Sequence, residues 1–151
     1  MLSTSKINGS IDREVRSLSV HIDQAAARLV ASHPDAGLTL RKVQERFVLQ
    51  AGDVGVSLSL FRSRAGMNAG AEVVLAAWDG EVTFPGCTPR HDRRATQVSA
   101  QQFRLTQCAD ASWLWTDEVT ADTVTSLALA AMCVATMEER LRVTAHAATH
   151  E

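Results

Sequence analysis

The chain contains no tyrosine, and aromatic residues make up only 5% of its 151 residues. A base-stacking surface needs exposed rings among basic side chains, so nucleic acid is not an expected partner. An excess of charge of one sign is also missing. Fifteen Lys and Arg stand against seventeen Asp and Glu, a net charge of −2. No global field therefore draws the chain to a polyanion or an anionic membrane. Cysteines are few: Cys87, Cys108 and Cys133, widely spaced and without a CxxC pair. Their odd number argues against a disulfide framework and suits a reducing, cytoplasmic setting. The most apolar run, Ser126 to Met137, is about half of the ~20 residues that cross a bilayer, so it reads as a buried helix. Met1 to Ser10 is polar and lacks the apolar centre of a signal peptide. Nucleotide and nucleophile signatures (Gly-x-Gly-x-x-Gly, the P-loop, Gly-x-Ser-x-Gly) are absent as well.

Hydrophobic periodicity is present, and it changes along the chain. Residues 1–9 are expected to be disordered. From a Ser10 cap, Ile11, Val15, Leu18, Ile22, Ala25 and Leu29 recur at alternating spacings of four and three, one stripe on a helix that His33-Pro34 stops. Residues 34–42 read as a connector, and from Val43 the period becomes two. Val54, Val56, Leu58 and Leu60 alternate with Gly55, Ser57 and Ser59, as in a half-buried antiparallel strand joined through Ala51-Gly52-Asp53 to one before it. In Ala71 to Phe84, two β-prone runs flank Asp79-Gly80, which suits a type I′ hairpin turn. The first run is apolar on both faces and is expected to be central; its Trp78 is expected in the core. Thr96–Gln107 and Ala111–Thr116 read as two more strands, turned at Ala109-Asp110. Asp117 or Thr120 then caps a helix over Ala121 to Val143, with Leu127, Ala130, Val134, Met137 and Leu141 as its stripe. Residues 146–151 fray.

Every strand connection is too short for a parallel crossover. The fold class expected is α+β: one domain over 10–145, an antiparallel meander of five to six strands flanked by an N-terminal and a C-terminal helix.

The densest polar constellation is Cys87 to Arg94. Arg90, Arg93 and Arg94, with His91 beside them, form a candidate anion site, since forked guanidinium donors suit phosphate or carboxylate. Cys87 is a candidate reactive thiol in that cationic setting; the competing reading is a solvated loop. Trp113 and Trp115 are candidate lining for a ligand cavity between sheet and helices, or else core and interface. No metal site is expected: Cys87 and His91 lack a second ligand pair, and His146 with His150 lies in the tail. Asp117, Glu118 and Asp122 sit at an expected helix start, where the dipole accounts for them. No catalytic residue and no cofactor are assigned.

In size and terminal-helix arrangement the chain resembles small dimeric secretion chaperones, which carry a helix between strand groups. None is legible between Phe84 and Thr96, so no residue role transfers from that resemblance. The function expected is a non-enzymatic binding module, adaptor or chaperone-like, acting through protein–protein contacts with its own copy or another protein. The alternative is a small-molecule-binding domain or small enzyme with a pocket between sheet and helices and an anion-binding loop at 87–94.

Overall fold

The computed structural model describes residues 4–63, 70–83 and 95–149. Its elements are α1 (Thr4–Ser32), β1 (Thr39–Val43), β2 (Arg46–Ala51), β3 (Val54–Ser63), β4 (Gly70–Asp79), β5 (Thr96–Gln107), β6 (Trp113–Asp117), β7 (Thr123–Val124) and α2 (Ser126–Thr149). The seven strands lie in sequence order in one antiparallel sheet. The α+β meander with a helix at each end is therefore the fold, and β4 is its central strand.

Alternation sorts the sheet into two faces. Phe47, Leu49, Val56, Leu58, Val73, Leu75, Phe103, Leu105 and Trp115 point to one side and join the helices in a single core. From α1 come Ile11, Val15, Leu18, Ile22, Ala26 and Leu29; from α2 come Leu129, Ala130, Cys133 and Met137. Ala26 replaces the expected Ala25, and Leu127 of the expected α2 stripe is 61% exposed. Short alanines beside larger residues leave the stripe's angle undetermined by a turn's width, so packing decides it.

The helices run side by side in the same direction. Arg62, near the end of β3, pairs with Asp12 in the first half of α1. Ser126, which opens α2, donates to Glu14 Oε1 of α1 at 2.8 Å. Farther along α2, Arg140 bonds Asp79 and the Trp78 carbonyl at the opposite end of the sheet. The two helices thus cover one sheet face as a pair, and among the described residues the other face carries no helix.

Four local expectations need correction. α1 begins at Thr4 rather than at Ser10, so Asn8-Gly9 lies within it. The stretch 34–42, read as connector, contains most of β1. Its residues are half-buried or exposed, so no clean two-residue pattern announces it. α2 begins at Ser126, with Thr125 Oγ1 accepting from the Ala128 N–H at 3.1 Å. Asp117 instead closes a turn after β6, its Oδ1 accepting from Val119 and Thr120 N–H at 2.8 and 3.1 Å; Glu118 and Asp122 belong to that turn, not to a helix start. The fourth concerns Asp79-Gly80. It does not form a two-residue hairpin, because β4 pairs with β5 through Asp79↔Thr96. Gly80, with φ 101°, turns the chain off the sheet edge. Its N–H meets the Asp53 carbonyl, and Glu81–Thr83 runs across the face away from the helices. There Val82 buries itself against Val48, with Trp78 half-buried beside them rather than in the main core. The turn at Cys108–Ser112 forms as expected. The Ser112 hydroxyl and N–H hold the Asp110 carboxyl below its ordinary range, the hydroxyl contributing more.

Candidate interaction surface

Arg90, His91, Arg93, Arg94 and Cys87 lie outside the described residues. The two tryptophans proposed for a cavity are described, and they part company. Trp115 is wholly buried, and its Nε1 donates to Ser126 Oγ at 2.9 Å. Trp113 is partly buried against the same core. An indole closed in on every side has no surface to offer a ligand, so Trp115 is a core residue here.

The described residues do form a groove between α1 and the β1–β3 end of the sheet, of about 380 Å³. Val15, Leu18, Phe47 and Leu58 floor it; Asp12, Arg16, Lys42, Glu45 and Arg62 rim it. Most of that charge is already matched internally. Arg62 pairs with Asp12 and places Nε 3.1 Å from Glu45 Oε1. Lys42 Nζ sits 5.0 Å from the Phe47 ring centroid, 3.7 Å from Asp23 Oδ2, and donates to Ser19 Oγ at 3.3 Å. A ligand anion would compete with carboxylates already in place.

Cys133 is 2% exposed, and burial pushes its thiol up from 9.0 to about 12. A thiol held protonated is a poor nucleophile. Cys133 is therefore expected to react with a thiol reagent only as fast as the chain opens. The unfolded chain releases this proton near pH 9.0, whereas the fold retains it to about 12. The residue's stabilising effect is thus complete below the first value and lost as pH rises toward the second. Urea midpoints at about pH 8 and about pH 10.5 check this. The alkaline loss should shrink in Cys133→Ala, and an equal loss in both proteins would refute it.

The most unusual surface lies on β5. Each residue from Thr96 to Gln102 is exposed, whereas Phe103 and Leu105 are buried. β6 pairs only with Phe103–Gln107, so among the described residues the first half of the strand has β4 on one side and no strand on the other. From Ala95 to Phe103 there is no charged residue. Charge returns at Arg104, which Glu72 and Glu118 hold at 2.8 and 3.4 Å. On the sheet's helix-free face, Trp78 of β4 is half-buried and Phe61 of β3 is exposed. The Trp78 Nε1 donates to Ser57 Oγ at 2.8 Å, and Phe61 is 57% exposed. Sequence reasoning read Thr96–Gln107 as an ordinary strand. The absence of charge was visible there; the mismatch in length with β6 was not.

Among the described residues, no three His, Cys, Asp or Glu side chains cluster to hold a metal. No described helix is long and apolar enough to cross a membrane. Among the described residues, fold and surface together define a two-layer α+β domain with one sheet face free of helices and one strand edge without a neighbour. No protein-family model matches the chain, and neither a curated protein nor a solved structure matches it.

Proposed function

We propose that this chain is a non-enzymatic binding module that acts through protein–protein contacts as a homodimer, in an adaptor or chaperone-like role in the cytoplasm. The observation that carries the reading is the exposed, uncharged half of β5, whose backbone edge no described strand covers, near the exposed Phe61. Backbone groups on such an edge attract another chain. The free thiols Cys108 and Cys133 suit a reducing compartment. Light scattering at micromolar concentration is expected to give a mass near twice 16.3 kDa. A clean monomer would refute the dimer.

The groove against α1 supports the second reading, a small-molecule site. Its apolar floor and charged rim suit an amphipathic ligand. A thermal-shift screen with organic acids and amines separates the two. A saturable shift lost in Arg16→Ala would favour the groove.

A further inference from the structure

The open edge of β5 fits a second copy of this chain. The Glu118 N–H donates to the Gln102 carbonyl at 3.0 Å, so the backbone groups of Gln102 face the β6 side. In a strand these groups alternate from side to side with each residue. The N–H and carbonyl of Ala100 therefore face that same side, beyond the point where β6 pairs. Ser99 and Gln101, whose groups turn the other way, stand opposite Ala77 and Leu75 of β4. Val98 is the extra residue of a bulge between Ala77 and Trp78, and it ends the regular run.

The other edges are guarded. β1 is five residues long and carries Arg41 and Lys42. β7 has two residues. Short strands and cationic side chains are the usual defences against edge-to-edge association. The half of β5 beyond β6 has neither: it has no Lys, Arg or Pro.

We propose that two copies pair through this edge, β5 against β5 in antiparallel register about a two-fold axis close to Ala100, making one continuous sheet. The inference rests on the reading of the chain as a protein-contact module, and three observations favour a second copy as occupant. Antiparallel self-pairing is isologous and closes on itself, so the outward N–H and carbonyl of Ala100 are paired in both copies at once. A neutral segment laid against its own copy opposes no like charges, which the β1 edge, with Arg41 and Lys42, would do. Of the described charges beside the run, Arg104 is held by Glu72 and Glu118, and Asp79 by Arg140. Ala100 at the axis puts the smallest chiral side chain where the two strands approach.

The test compares the full-length protein with Ala100→Lys and Ala100→Pro, followed by light scattering over a dilution series and by far-UV circular dichroism. Lysine places two like charges face to face at the axis. Proline removes an N–H that β4 does not use, and symmetry removes it twice. Each is expected to raise the dimer dissociation constant by about tenfold or more with the fold retained. Lys42→Ala, at the opposite edge, is expected to leave the mass unchanged. If Ala100→Pro fails to fold, Ala100→Lys decides, because its side chain is exposed. A wild-type dimer that persists in folded Ala100→Lys overturns the β5 pairing and leaves the protein-contact reading standing. A wild-type monomer overturns both.

Discussion

Trp115→Ala is expected to lower the free energy of unfolding by about 3–5 kcal/mol, the largest loss for any single residue of this chain. Trp115 is the largest fully buried side chain, and it sits where β6 meets the opening of α2. Truncation leaves a cavity that strands and helices cannot both move to fill. It also removes the donor to Ser126, which is itself buried and donates onward to Glu14. Domains of this size have roughly 5–15 kcal/mol to lose, so the variant is expected to be marginal. Trp115→Phe separates the two causes. It keeps much of the apolar volume and loses the indole N–H, for a cost of about 1–2 kcal/mol. Urea unfolding monitored by circular dichroism measures both. A Trp115→Ala loss under about 1 kcal/mol would mean the core tolerates the hole.

Gln50→Leu is the second large effect, expected at about 2–4 kcal/mol. Gln50 is 8% exposed, on the helix-free face of β2. Its Oε1 accepts from the Val82 N–H at 3.0 Å, and its Nε2 donates to the carbonyls of Gly80 and Gly52 at 3.0 and 2.8 Å. One amide thus ties the Gly80–Thr83 crossing to the β2–β3 turn. The neighbouring strand is shaped around it. A Cβ on Gly55 would stand 2.7 Å from Gln50 Oε1 and 3.0 Å from Val82 Cγ2. Leucine matches the volume and satisfies none of these groups, and a buried polar group without a partner carries its full desolvation penalty. Hydrogen exchange at the Val82 amide reads the effect locally. Faster exchange there, with the β3–β4 ladder still protected, is the expected pattern, and unchanged protection would show that another group holds the crossing.

The elements that sequence showed clearly are those whose side-chain pattern is complete within a few turns. Ile11 through Leu29 and Val54 through Leu60 each carry a one-sided apolar row, and each became the element its period implied. Asp79-Gly80 misled because its local chemistry is genuine and its surroundings prevail. Gly80 does take positive φ, but Gln50, thirty positions earlier, and the β5 edge of β4 determine where the chain goes next. Asp117 and Thr125 illustrate the same limit. Both are good caps, and choosing between them requires knowing that β7 intervenes. The interaction surface was half visible: the neutral run was readable, whereas the opening of its edge follows from a five-residue β6 set against a twelve-residue β5.

The meeting of Glu14 with Ser126, 112 positions apart, has a kinetic consequence. α1 and α2 share one core, yet the whole meander is synthesised between them. Until α2 is made, the part of the sheet's apolar face that Leu129, Ala130, Cys133 and Met137 cover in the native fold has no cover. The places of Leu129, Cys133 and Met137 stay wet until the final helix arrives. Closing a span this long carries an entropic cost that the neighbour-to-neighbour strand pairings do not, so docking of α2 is expected to follow formation of the meander. The interval between the emergence of β4 and that of α2 is therefore one in which apolar sheet surface, covered in the native fold, is open to other chains.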